Sequence, residues 1–206
     1  MTHINPAFTL LMAGGFMMIP LALLALVAIV IVLDKTYLFW KETRLPAPVL
    51  ELTESFGFDW DEFDRRVSDL GPKHLFGRFF RVILENRKKP AWWVESRAND
   101  EAGRIEKSMG RGLWVLETAV TAAPLLGLLG TIIGMFGAFR LFGSEGLVNP
   151  QGVTGGVAQA LIATAFGLFI ALFSLFAFNF LSRLHATVLD EMERLGTRMI
   201  DHIRMD

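Results

Sequence analysis

Charge-free apolar runs and polar stretches alternate along the chain in a pattern that predicts three membrane-spanning helices. The first run extends from Ile4 to Leu33 and contains LALLALVAIVIVL. Asp34, Lys35 and an aromatic patch at Tyr37, Phe39 and Trp40 close it, as expected of a span with an interfacial belt. The second run, Thr118 to Phe139, follows Glu117 and stops at Arg140. The third is uncharged from Gly146 to Ser182, long enough for a turn at 147–152 and then a full span. The expected fold is an all-α membrane protein with three transmembrane helices, the second and third extended far into the cytoplasm, and additional helices in the cytoplasmic loop. The expected segments are a short periplasmic N-terminus at 1–16 with room for an interfacial helix, a first span at 17–40 and a cytoplasmic helical domain at 41–112. A second span at 113–139, a periplasmic connector at 140–151, a third span at 152–180 and a cytoplasmic helical tail at 181–206 follow.

Within the loop the period of the apolar positions changes. Leu45 to Pro48 (LPAP) breaks the first helix. Phe56, Trp60, Phe63, Val67 and Leu70 then recur at spacings of four, three, four and three, the stripe of one amphipathic helix ending at Gly71. Pro72 is placed to start the next helix, with Leu75, Phe79, Val82 and Ile83 on its buried side. Arg87, Lys88 and Lys89 end it before Pro90. Two readings are open for these three basic residues, a contact with anionic lipid headgroups or a solvated helix end. From Val94 the pattern reads as unbroken helix into the second span. After the third span, Leu181, Leu184, Val188, Met192, Leu195, Met199 and Ile203 form a heptad-like seam. That seam either packs on the chain's own cytoplasmic helices or joins a ring of identical helices.

Composition agrees with the span count. Mean hydropathy is +0.43 and 52% of residues are apolar, which places the chain among membrane proteins. The net charge of −1 hides an uneven distribution, for fifteen of the twenty Lys and Arg residues lie between the first and second runs and four follow the third. By the positive-inside rule the loop and the C-terminal tail are cytoplasmic and the N-terminus is outside. No Lys or Arg precedes Lys35, so the first run is expected to be a retained span rather than a cleaved signal peptide. There is no cysteine, which removes disulfides and thiolate chemistry from consideration.

Small residues recur along both later spans. They are Gly127, Gly130, Gly134 and Gly137 in the second, and Gly152, Gly156, Ala160, Thr164, Gly167 and Ala171 in the third. Such faces let helices approach closely in lipid, and their number predicts several helix neighbours. No Lys-Ser or Lys-Thr follows the glycines, so they are not a nucleotide loop.

Inside the later spans no side chain carries a titratable carboxylate, imidazole or amine. The polar groups are Thr121, Thr131, Gln151, Thr154, Gln159, Thr164, Ser174 and Asn179, with Glu117 at the cytoplasmic edge. None forms a nucleophile–base pair, and His3, His74, His185 and His202 lack metal-ligand spacing. No enzyme activity, cofactor, metal or nucleic acid is expected. Thr131 in GLLGTIIGMFG and Thr164 in ALIATAFGLFI stand out, because the midpoint between them falls at Leu147 and Val148 in the connector. A hairpin folded there brings both hydroxyls to one depth, on the order of 20 Å from the turn. A lone Thr in a span most often bonds its own helix; the pair suggests a path for a small polar species.

The segment from Glu117 to Arg183, with AAPLLGLLGTIIGMFGAF, a short connector and GGVAQALIATAFGLFIALFSLFAFNFLSR, resembles the proton-channel family of ExbB and TolQ, with MotA more distant. The resemblance rests on Pro124 seven residues before Thr131, the G-L-x-G-T block, the ALIATAFGL block around Thr164, and Asn179 near the end of the third span. It implies a bacterial inner-membrane pentamer around a dimer of a single-span ExbD- or TolR-like partner, with a TonB-like protein as a further partner. The partner's membrane Asp would exchange protons opposite Thr131 and Thr164, and proton flow would move the partner and energise an envelope process. With no titratable group at mid-membrane, the chain needs an acid from elsewhere to relay protons.

One position departs from the family pattern, where a Glu stands five residues before the second Thr and this chain has Gln159. Gln hydrogen-bonds but does not ionise. Glu117, seven residues before Pro124 and fourteen before Thr131, lies on roughly the same helix face, and reads either as a replacement carboxylate or as a polar residue at the headgroup boundary. Sodium is the alternative ion, and a non-conducting scaffold anchoring a partner complex is the alternative function.

Overall fold

A computed structural model of the chain describes residues 14–55, 57–140 and 150–205, and among these the secondary structure is helical, with no strand. Among the described residues seven helices follow in order: α1 (Met18–Glu42), α2 (Ala47–Glu54), α3 (Trp60–Asp69), α4 (Leu75–Asn86), α5 (Ala91–Gly110), α6 (Leu113–Arg140) and α7 (Pro150–Met205). Three helical stretches are long and apolar enough to cross a membrane: α1, the run that ends with α6, and α7. The chain divides into two compact units. One comprises the described residues up to Val32 together with 112–179, and the other Leu33–Arg111 together with the chain from Phe180 onward.

The spanning unit is built on α1, α6 and α7. Met18, Leu21 and Ala28 of α1 are buried, and Met18 and Leu21 cluster with Ala123, Ile170 and Ala171. Ile19, Leu23, Leu26, Val30 and Leu33 of the same helix are exposed. An apolar outer surface of this kind is what lipid or neighbouring helices require, since a span has no polar face to turn outward.

The polar unit is assembled by ordinary hydrophobic burial. Phe63 and Val67 of α3 are buried, and so are Leu75, Phe76, Phe79, Phe80 and Ile83 of α4. Val82, expected on the same side, is half-buried. Phe80 is the hub, with ring centroids 5.1 Å from Phe63 and 5.6 Å from Phe79. Helix starts differ from the sequence expectation. The expected stripe began at Phe56, which lies outside the described residues, but helix α3 starts at Trp60. The Asp59 carboxylate caps it, accepting from the backbone N–H groups of Asp61 at 2.9 Å and Glu62 at 3.3 Å. Nor does Pro72 open α4. After Gly71 (φ +81°) the cap is His74, whose Nδ1 accepts from the Gly77 N–H and whose Nε2–H donates to the Arg44 carbonyl at 3.0 Å. A side chain that satisfies a free N–H holds a helix start better than Pro, which has nothing to offer there.

The predicted continuous helix from Val94 into the second span is interrupted. α5 ends at Gly110, Arg111 is extended, and Gly112 has φ +90°, a conformation open to glycine at little cost. The last turn of α5 is held from α1, where the buried Lys35 ammonium donates to the Ser108 carbonyl at 3.2 Å, a favourable place for a cation. Arg87 is occupied by its own chain, 3.7 Å from Asp61 and over the Trp60 ring, whereas Lys88 and Lys89 are exposed.

The seam of the α7 tail is covered by the chain's own helices. Leu181, Met192, Leu195 and Met199 are buried, and Leu184, Val188 and Ile203 half-buried. A Cβ on Gly196 would lie 2.9 Å from the Phe79 ring. His202 stacks on Phe58 at 4.3 Å and donates to the Thr53 carbonyl at 3.2 Å, while Arg194 bridges Glu54 and Glu191. Because Phe80 is fully buried at the centre of this packing, Phe80→Ala is expected to destabilise the polar unit by about 3–5 kcal/mol. Faster hydrogen exchange in α3 and α4, with α6 unchanged, is the measurement that checks it.

Candidate functional site

The site begins with backbone contact between α6 and α7. A Cβ on Gly167 would come within 2.5 Å of the Ala123 carbonyl oxygen, and one on Gly127 within 3.0 Å of the Ala163 carbonyl and the Thr164 Cα. Further along the pair, Gly134 and Gly156 face each other, each missing Cβ about 3 Å from the other's carbonyl oxygen (3.0 and 3.1 Å). An added methyl has no room at Gly167 and only tight room at Gly127 and Gly134, because the carbonyl oxygens there are main chain and cannot turn aside.

This antiparallel register fixes where the two threonines fall. Thr164 is half-buried and its hydroxyl crosses the interface to donate to the Gly127 carbonyl at 3.1 Å. Thr131, also half-buried, donates within its own helix to the Leu128 carbonyl at 2.6 Å. With Gly127 against Ala163 and Thr164, and Gly134 against Gly156 and Ala160, Thr131 stands opposite about Leu161. The hydroxyls are therefore about three residues, or roughly 4.5 Å, out of step along the axis, rather than level. The hairpin midpoint at Leu147 and Val148, from which a common depth is expected, lies outside the described residues.

Helix α1, through Met18 and Leu21, and the turn at 14–17 that leads into it cover one flank of the seam. Gly15, at φ +73°, lies directly against the Gln159 amide; a Cβ on Gly14 would be 3.3 Å from Ile162, and one on Gly130 would be 3.4 Å from Met17. Thr164 is five residues on from Gln159, about 140° around the helix, and Thr131 is about 100° on from Gly130. Both threonines thus occupy the flank turned away from α1. Pro124 and Glu117, seven and fourteen residues before Thr131, share that flank. Pro124 is half-buried inside an otherwise continuous α6, and Glu117 is exposed. Gln159 is half-buried on the opposite flank, and Asn179 is exposed at the end of the unit. The structure therefore groups Thr131, Thr164, Pro124 and Glu117, and does not place Gln159 or Asn179 with them.

Two participants were not visible as such in the sequence. The Gly127 carbonyl is the acceptor for Thr164, and only the small-residue spacing hinted that a main-chain oxygen would be reachable. Ser174 is fully buried with no hydrogen-bond partner among the described residues. Among the described residues no cluster of His, Cys, Asp or Glu could hold a metal ion. The chemistry available on the threonine flank is hydrogen bonding by hydroxyls, which donate and accept without ionising.

These features define a multi-span helical membrane protein with a small-residue hairpin and hydroxyl groups along one flank of it, where the one acid is Glu117 near the start of α6. The chain belongs to the MotA/TolQ/ExbB proton channel family, whose model matches residues 72–194. It is 36% identical to the biopolymer transport protein ExbB of Xanthomonas campestris over 109 residues, 53% of this chain and 43% of that protein. The match thus spans under half of that relative's length. A Synechocystis protein called biopolymer transport protein ExbB-like 3 is 30% identical over 185 residues, 82% of this chain and 81% of its own. An ExbB of Aquifex aeolicus is 40% identical over 80 residues, 39% of this chain and 54% of that protein. The family is described as one of proton channels, and these relatives are named as transport proteins.

Gly167→Ala is expected to lower stability by about 1–3 kcal/mol, because a carbonyl oxygen blocks the added methyl. Thr164→Val, which removes only the cross-helix hydrogen bond, is expected to cost about 0.6–1.7 kcal/mol. Thermal unfolding in one detergent, with Gly137→Ala as the control, checks both; nothing stands within 4 Å of a Cβ at Gly137.

Proposed function

We propose that this chain is the ExbB/TolQ-like subunit of an ion-driven motor in the bacterial inner membrane. Five copies enclose a dimer of a single-span ExbD- or TolR-like partner, the N-terminus of each copy is periplasmic, and a TonB-like protein receives the motion. The observation that carries the reading is the placement of Thr131 and Thr164 on one flank of the α6–α7 seam, turned away from α1, in spans without a titratable side chain. A flank of hydroxyls can solvate a carboxyl group through both its protonated and ionised states, but cannot supply one. The acid is then the partner's membrane Asp, and protons are the ion favoured by the family.

Gln159 bears on the rival reading, in which the oligomer is a non-conducting scaffold and the missing Glu reports lost conduction. Its amide lies against Gly15 on the α1 side, so the change of residue leaves the threonine flank as it was. That favours conduction over the scaffold.

The test is co-expression with a single-span, Asp-bearing partner and measurement of proton flux in vesicles. Thr131→Val with Thr164→Val should lower flux about tenfold or more, corresponding to roughly 1.4 kcal/mol or more in the barrier, while Ser at both positions should preserve most of it. Unchanged flux in the double Val variant would sink the role given to these residues. Wild-type flux at leak level with the partner bound would favour the scaffold, and flux that follows a sodium gradient would change the ion.

A further inference from the structure

The polar unit holds a groove that neither the spans nor the core explain. It is about 420 Å³ in volume and runs between α5 and the α7 tail, with Phe79, Ala98, Met192 and Gly196 on its floor and walls. Its rim is acidic. Glu106 and Glu193 line it, as do Glu95 and Asp201. The cation on the rim is Arg204, 3.9 Å from Glu95 and 3.6 Å from Asp201, so it offsets charge at one end only. Glu106 and Glu193 form no ion pair among the described residues across helices, and both are exposed.

The other side of α5 has the opposite chemistry. Val94, Ala98, Ile105 and Met109 are the buried stripe of the helix. At about 100° per residue, Glu95 and Glu106 fall on one side of that stripe and Trp93, Arg97 and Arg104 on the other. Arg97 stacks over the Trp93 ring at 4.7 Å, and Trp93 is 37% exposed. The ion pairs of Arg97 and Arg104 are loose, 3.6 Å from the exposed Asp100 and 3.6 Å from the buried Glu101, and the Arg104 side chain is 76% exposed. α5 therefore carries an acidic groove on one flank and an aromatic–arginine ridge on the other.

The two flanks also match in level. Arg97 is two residues from Glu95, and Arg104 two residues from Glu106, an offset of about 3 Å along the helix in each case. Copies related by rotation about an axis running along α5 keep each residue at its own level, and a patch that meets a different patch on the next copy makes a head-to-tail contact, which closes into a ring when the rotation divides the circle. From this complementarity of charge, shape and level we infer that the occupant of the groove is a second copy of this chain: the Trp93–Arg97–Arg104 ridge of one copy docks into the α5–α7 groove of the next. Arg104 meets Glu106 and Glu193, and Arg97 meets the Glu95 end. The inference rests on the oligomer of the motor reading and assigns it an interface outside the spans. Burying arginines against carboxylates also sets the direction in which copies follow one another, since like charges meet in the reverse order.

The chain has no cysteine, which makes the test direct. In the full-length protein, Arg104→Cys combined with Glu193→Cys is oxidised in detergent, and the products are separated by size. Head-to-tail docking gives a ladder of disulfide-linked multimers up to the size of the intact oligomer, while either single variant stays uncrosslinked. A second arm reverses the ridge with Arg97→Glu and Arg104→Glu. This should weaken self-association about tenfold or more, and adding Glu106→Lys and Glu193→Lys to the same chain should restore it. An intact oligomer with no ladder and no response to charge reversal overturns this interface alone. Dimers from a single variant overturn it in favour of a two-fold contact. A wild-type chain that is monomeric by light scattering overturns both the interface and the oligomer of the motor reading. Loss of a co-purified single-span partner on ridge reversal, with the oligomer unchanged, assigns the ridge to that partner and overturns the docking between copies.

Discussion

The contact between the α6 and α7 backbones governs the spanning unit. In lipid there is no hydrophobic force to press two helices together, because the tails are as apolar as the side chains. What remains is dispersion at short range and the few hydrogen bonds that close approach allows. Each glycine costs about 1 kcal/mol relative to Ala in a helix interior, and α6 and α7 accept that cost at Gly127, Gly134, Gly156 and Gly167, where the partner helix lies within 3.1 Å of the missing Cβ. The return is a single register. Slipping either helix by one residue would bring an ordinary side chain onto a main-chain oxygen, so the positions of Thr131 and Thr164 follow from the glycines and not from the connector.

The same contact makes the hairpin two-sided. With the seam closed by main chain, every side chain beside it belongs to one flank or the other. α1 and the turn before it, with Gly14, Gly15 and Met17, take one flank, and the threonines are left on the other. The polar unit obeys different physics. Water supplies the driving force there, Phe63, Phe76, Phe79 and Phe80 collect into one aromatic core, and the helix ends are settled by side chains that reach back to the main chain. Asp59 and His74 satisfy N–H groups and Lys35 satisfies a C=O group. Glu101, buried on α5, is paired with Arg78 at 2.5 Å, as a carboxylate withdrawn from water must be.

Much of this was legible in the sequence, and what was not has identifiable physical causes. Apolar runs of span length need no tertiary information, and the stripe of Phe63 and Val67 or the seam at Leu181, Met192, Leu195 and Met199 follows from helical period alone. Helix boundaries were less readable, because caps depend on where the chain goes next. Pro72 was a reasonable start for α4 until His74 found the Arg44 carbonyl, thirty residues away. The break at Arg111 and Gly112 left a trace in Gly110-Arg111-Gly112, but glycines also recur inside intact α6, so the residue type could not decide. In the site, the threonines and the small-residue faces were evident, whereas the division into flanks was not. It depends on which side α1 occupies, and neither period nor composition encodes that.

Gln159 shows why the division matters. Read along the chain, it stands five residues from Thr164 and looks like a neighbour in the same path. Five residues of helix turn about 140°, enough to move it from the flank of the hydroxyls to the flank of α1, where its amide meets the backbone at Gly15. A carboxylate in that setting would be pressed against main chain between helices, while an amide can donate to a nearby carbonyl without carrying charge into an apolar interface. Gln is therefore the residue that suits the packing seen here, and its neutrality matches the rest of the two spans, 118–139 and 150–182, where no side chain is titratable. In the proposed reading, a hairpin with no acid at mid-span takes part in ion transfer only when a titratable group is brought against its hydroxyl flank, the one that α1 does not fill.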